Sequence, residues 1–182
     1  MYILHMDKKL KSKLLPITLA VVIIALDQIT KLLVVRFIPY GTIGASFLGD
    51  FLRIIHISNT GVAFSVGADW SHTIRSILFS LVPIIVITLV IIIYFRNNDF
   101  NKLQRWTIMG LIGGGIGNLL DRIFRAEGVV DFIDVKFFGI FGLERWPTFN
   151  VADASVVVCG IILFISFIAT FVKDRKNKKA DV

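Results

Sequence analysis

Gly113-Gly114-Gly115-Ile116-Gly117-Asn118-Leu119-Leu120-Asp121-Arg122 sets Asn, Asp and Arg inside a run that otherwise has the length and character of a membrane-spanning helix. Ionisable groups are costly in hydrocarbon, so a carboxylate kept there points to a functional site and a specific partner. The 182-residue chain around this segment suffices for one domain and is 55% hydrophobic, with a mean hydropathy of +0.78. That is membrane composition rather than soluble-globular composition. The one cysteine, Cys159, lies in an apolar run, so no intrachain disulfide and no Cys/His metal spacing exists. His5, His56 and His72 are scattered, and neither HExxH nor GxSxG occurs. Zinc, thiol and serine-nucleophile chemistry therefore have no support, and neither a metal nor a cofactor is expected.

Four apolar stretches can each span a bilayer, which takes about 20 residues. They lie near Leu15–Phe37, Ile74–Phe95, Trp106–Phe124 and Val151–Val172. The third is the least apolar, because of its glycines and Asn118. Pro83 implies at most a kink in the second. Lys8, Lys9, Lys11 and Lys13 precede the first run and imitate a secretory signal. That run exceeds a signal core of about 7–15 residues and carries Asp27 and Lys31, so it reads as a retained helix.

Basic residues orient the spans. The N-terminal lysines, the loop with Arg96, Lys102 and Arg105, and the tail with Lys173, Arg175, Lys176, Lys178 and Lys179 hold most of the 20 Lys and Arg. Both termini are therefore expected in the cytoplasm, with segments 38–73 and 125–150 outside. The basic tail reads as a solvated, lipid-facing end, not as a nucleic-acid site. In the outer segments, Phe51–Ser58 and Val129–Lys136 are rich in β-branched residues and read as strands. Phe47, Phe51, Trp70, Phe137, Phe138, Phe141 and Trp146 suit a membrane interface. The expected fold is thus an all-α polytopic membrane protein: one domain, four transmembrane helices, and a small extracytoplasmic β-sheet on the outer leaflet.

Depth brings two aspartates together. At 1.5 Å per residue, Asp121 lies about 22 Å along the outward-running third span, in a core roughly 30 Å thick. Asp153 lies about 28 Å from the inner end of the inward-running fourth span. If they face each other, they cannot both ionise easily: one keeps a proton while the other takes one from water, as in aspartic proteolysis. The helix dipole favours the anion at Asp153, in a first turn, and the neutral acid at Asp121, near a helix end.

Each residue also has a structural reading. Asn150 and Asp153 have the spacing of a helix cap. Asp121-Arg122 reads equally as an interfacial charge pair. Gly110/Gly114 and Gly113/Gly117 are small-xxx-small pairs that pack helices. Asp27 and Lys31, four apart, read as a neutralising pair. A proton or ion transporter using Asp27 and Asp121 would need a polar path and an inverted repeat, and neither is found. A non-enzymatic scaffold, whose glycines only pack helices, is the other alternative, and Asp121→Asn and Asp153→Asn separate it from a protease.

These residues resemble the lipoprotein signal peptidase (type II signal peptidase) family over nearly the whole chain. Asp27-Gln28-Ile29-Thr30-Lys31, Asn59-Thr60-Gly61-Val62-Ala63-Phe64, Gly113 to Arg122, Val130-Asp131-Phe132 and Phe149-Asn150-Val151-Ala152-Asp153 look like its five blocks in order. Gly115 stands where alanine is more usual, and the connection around Lys136–Pro147 is long and aromatic. The resemblance implies an aspartic endopeptidase of the bacterial inner membrane with Asp121 and Asp153 as catalytic pair. It implies a diacylglyceryl-modified prolipoprotein as substrate, cut on the amino side of the lipidated cysteine, and inhibition by globomycin-type cyclic peptides. Asn59, Gly61, Asn118, Arg122 and Asn150 then support the aspartates or the substrate backbone. Membrane lipid is the other expected partner.

Overall fold

The structure, a computed structural model, describes residues 8–59, 71, 74 and 77–180. Gly61 and Trp70 lie outside the described residues. In chain order the elements are α1 (Lys8–Leu14), α2 (Ile17–Phe37), β1 (Ile43–Phe47), β2 (Leu52–Asn59), α3 (Val82–Arg96), α4 (Lys102–Phe124), β3 (Val129–Ile140), β4 (Leu143–Arg145) and α5 (Val151–Ala180). Pro16 leads into α2 because its fixed φ, here −63°, is already helical and its missing N–H costs nothing at a helix start. A π-helical turn, Ile77–Leu81, leads into α3. Pro83, beside it, cannot donate to the preceding turn, so the irregularity takes the place of the expected kink. Asn101 and Gln104 close a capping box at the start of α4, so this helix begins four residues before the expected Trp106.

Among the described residues, three helices are long and apolar enough to cross a membrane: Leu10–Phe37, Ile77–Arg96 and Val151–Asn177. Helix α4 falls short of that apolarity for a structural reason. It packs against α2, α3 and α5, and its buried residues run from Gln104 to Asp121. A helix wrapped by other helices needs small residues more than lipid-soluble ones. A Cβ on Gly113 would stand 2.9 Å from Ala20 Cα on α2, and one on Gly114 would stand 2.5 Å from the Ala152 carbonyl oxygen on α5. These glycines set the backbone spacing of the bundle.

The strands form one antiparallel sheet in the order β1-β2-β3-β4. The expected strands are β2 and β3; the shorter β1 and β4 extend them through tight turns. Arg145 of β4 reaches back to Asp134 Oδ2 at 2.6 Å and to the Asp50 carbonyl at 3.2 Å, fixing the last hairpin on the sheet. The hairpin tip is aromatic and open, with Phe141 89% exposed. One apolar core lies inside the bundle around Ala20, Tyr94, Ile108, Met109 and Ile112. A second joins sheet to helices through Val34, Val130 and Phe132.

Candidate active site

A buried ion triad ties these parts together. Lys31 on α2 is fully buried, and its ammonium has three acceptors: Asp27 Oδ2 at 2.8 Å, Asn118 Oδ1 at 2.9 Å and Asp121 Oδ2 at 3.0 Å. That matches its three donor hydrogens. The remaining carboxylate valence is also met. Asp121 Oδ1 accepts from Gln28 and Arg125, each at 3.1 Å. Asp121 Oδ2 accepts from the Val130 backbone at 3.1 Å, and Asp27 Oδ1 from the Ala152 backbone at 2.9 Å. Gly117 permits this approach, since a Cβ there would lie 2.7 Å from Asp27 Oδ2.

The two backbone amides so held belong to the residues just before Asp131 and Asp153. Asp131, on β3, is 3% exposed. Its carboxyl is pushed up from the ordinary value of 3.8 to about 7, first by burial and then by the negative charge of Asp153, against the pull of hydrogen bonds from Asn59 and Asn150. Asn150 Nδ2 lies 2.7 Å from Asp131 Oδ1, and Asn59 Nδ2 lies 3.2 Å from Asp131 Oδ2. Asp153, in the first turn of α5, accepts from Asn118 Nδ2 at 2.7 Å and from the Asn150 backbone at 3.2 Å. Asn150 caps the helix in return, its Oδ1 accepting from the Asp153 amide at 2.9 Å. The half-buried guanidinium of Arg122 is within electrostatic reach of Asp153, Asp131 and Asp121. A buried carboxyl raised by burial and by the charge of a second carboxylate, ordered by three asparagines and one arginine, is an arrangement that can activate water against a carbonyl.

The structure therefore departs from the pairing that depth suggests. Asp121 and Asp153 are connected through Lys31 and Asn118, and four donors occupy both Asp121 oxygens. Depth along a helix ignores azimuth: Asp121 turns toward α2, and the acid electrostatically coupled to Asp153 arrives from the sheet. Asn59, Asn118, Arg122 and Asn150 gather around that second pair, while Gly61 lies outside the described residues. Asp27 and Asp121, the ion sites a transporter would need, share one lysine. Sequence reasoning does not single out Asp131. Its signal is an aspartate between Val130 and Phe132, in an apolar strand of a type that usually avoids this residue.

Comparison with known proteins places the chain in a family. The family model described as signal peptidase (SPase) II matches residues 19–169. A lipoprotein signal peptidase of Treponema pallidum (strain Nichols) is 51% identical over 158 residues, covering 87% of this chain and 85% of its own. Those of Treponema denticola and Borrelia hermsii are 45% and 48% identical, covering 92% and 88% of this chain and 96% and 91% of theirs. Two solved bacterial membrane enzymes share the fold, with TM-scores of 0.72 and 0.73 at 28% and 29% identity. They cover 84% and 90% of this chain and 92% and 91% of their own. The chain thus belongs to the signal peptidase II family, the aspartic peptidases that remove signal peptides from prolipoproteins in lipoprotein maturation.

Proposed function

We propose that this chain is a four-span endopeptidase whose catalytic pair is Asp131 and Asp153, with Asp121 as the residue that holds them in register. It cuts a prolipoprotein on the amino side of a diacylglyceryl-modified cysteine. The observation that carries this is Asp131: a buried carboxyl raised to about 7 beside a second carboxylate, and ordered by Asn59 and Asn150. That is the asymmetry an aspartic mechanism requires.

In the proposed mechanism Asp153 takes a proton from water as the oxygen attacks the scissile carbonyl carbon. Asp131 gives its proton to the carbonyl oxygen. As the C–N bond breaks, the proton on Asp153 passes to the leaving amine of the lipidated cysteine, and the hydroxyl proton returns to Asp131. The rate follows the protonation of Asp131. Asn118 and Asn150 keep the two carboxyls apart and oriented. Arg122 offsets the excess negative charge.

Four spans are proposed because α4 is enclosed by three helices apolar enough to cross a membrane. The basic ends of α1 and α5 and the α3–α4 loop support cytoplasmic termini, with the sheet at the outer leaflet of the inner membrane. A lipidated cysteine at that leaflet meets water and both acids at the same depth. Globomycin-type cyclic peptides would lie between Asp131 and Asp153.

The test is cleavage of a lipidated prolipoprotein by the Asp131→Asn, Asp153→Asn and Asp121→Asn variants, each checked for thermal unfolding. The first two are expected to melt close to the parent and to lose cleavage. Asp121→Asn is expected to lower Tm, and what remains folded should retain measurable cleavage. Normal cleavage by Asp131→Asn would end the assignment.

A further inference from the structure

At the end of the bundle opposite the aspartates is a cavity of about 320 Å³, lined by Ser12, Lys13, Leu15, Pro16, Asn98, Phe100, Lys102, Arg105 and Trp106. Arg105 and Asp121 lie on the same helix, which puts the cavity about 24 Å from the candidate active site. Three of its lining residues are cations and none is an acid. Among the described residues, no salt bridge involves Lys13, Lys102 or Arg105.

Arg105 is the decisive member. It is 6% exposed, and its guanidinium sits 5.8 Å from the Tyr94 ring centroid. Nη2 donates to the Asn98 carbonyl at 3.2 Å, but the buried Nη1 has no acceptor. A buried charged donor left without a partner is costly, and such a group calls for an explanation. The surroundings are tied together by hydrogen bonds. Tyr94 Oη donates to the Lys13 carbonyl at 2.7 Å, and Lys13 Nζ donates to the Phe95 carbonyl at 2.6 Å, which pins the α1–α2 turn to the end of α3. The exposed Lys102 adds a second charge from the first turn of α4, where a helix dipole also favours an anion. Beside these cations stand Leu15, Pro16, Phe100 and Trp106, apolar groups suited to glycerol and the first acyl carbons.

We propose that this cavity binds a phosphate group, supplied by the headgroup of an anionic phospholipid in the leaflet on the basic side. The Arg105 guanidinium would turn its buried Nη1 into the cavity to donate to a phosphate oxygen, with Lys102 and Lys13 completing the charge. The competing explanation is that these cations only set topology, in which case binding will not saturate. The experiment uses the purified full chain in detergent with three probes: dioctanoylphosphatidylglycerol, dioctanoylphosphatidylcholine and inorganic phosphate. Native mass spectrometry counts bound molecules, and thermal unfolding follows their effect. Phosphatidylglycerol is expected to bind saturably and raise Tm, with phosphatidylcholine about tenfold weaker. Arg105→Gln should weaken phosphatidylglycerol by about tenfold or more, the loss of one charged hydrogen bond. Lys102→Gln, at an exposed position, should weaken it several-fold while leaving the ligand-free Tm unchanged, and this decides the matter if Arg105→Gln does not fold. Competition by inorganic phosphate would support the phosphate site with a free-anion source, and its failure to compete would support the lipid source. Equal affinity for the two lipids, or unaltered binding in the folded variants, overturns the proposal.

Discussion

Lys31 shows how one side chain decides the cost of several others. It is buried between two carboxylates and an amide, and each of its hydrogens has an acceptor. Lys31→Met would leave buried Asp27 without a cation and Asp121 with Arg125 alone. Breaking a buried pair this way costs about 3–5 kcal/mol, so Tm should fall steeply and the folded fraction should shrink. Cleavage per folded molecule tests whether the triad acts only through positioning. Asp131 is the other residue with a measurable signature. Its carboxyl sits at about 7, above the ordinary 3.8, so the folded chain holds a proton that the unfolded chain releases. The folded state therefore binds more protons between these values, and this contribution to stability is lost as pH rises through about 7. Tm should decline from about pH 4 to about pH 7 and level off above that, and the decline should be smaller in Asp131→Asn. The acid form is also the proton donor, so kcat/KM should fall as pH rises through about 7.

At the level of elements, α4 carries the architecture through its glycines. Gly114→Ala drives a methyl into the Ala152 carbonyl oxygen, and backbone cannot yield as a side chain can. Such overpacking costs about 1–3 kcal/mol, and it displaces the start of α5, where Asp153 sits. Gly115→Ala is the contrast. Its Cβ meets only the tip of Ile87 at 3.1 Å, and the gain in helix propensity is at most about 1 kcal/mol. Thermal unfolding of the two variants should separate them clearly, with Gly115→Ala close to the parent and Gly114→Ala well below it. An alanine at this position is thus compatible with the packing around Ile87.

Across the whole molecule, the helices and the sheet are joined by a polar layer beside the apolar cluster of Val34, Val130 and Phe132, not by one continuous core. The bundle core and the sheet core are separate clusters, and the triad connects α2 and α4 to β3 and α5. That arrangement lets acids from a strand and from a helix meet at one level. The proposed topology has its own test. A single cysteine placed at Glu127 should react with a membrane-impermeant maleimide in intact cells, in a background with Cys159→Ala. One placed at Asn98 should react only after the membrane is opened. The reverse pattern would put the aspartates and the basic ends on the wrong sides.

Much of this protein is legible without coordinates. Span length, glycine spacing and the Asp27/Lys31 interval follow from helix periodicity and from the expense of charge in hydrocarbon, which act locally. The strands β2 and β3 follow from their β-branched composition. The family follows from five short blocks in order. What the chain alone does not determine is azimuth and register across elements. Asp121 and Asp153 share a depth, yet Asp121 faces Lys31, and the acid coupled to Asp153 is Asp131. Only the fold of β3 over the end of α2, held by the Asp121–Val130 hydrogen bond, brings that carboxyl to the start of α5. Depth is set by counting residues, but which carboxylate meets which is set by packing.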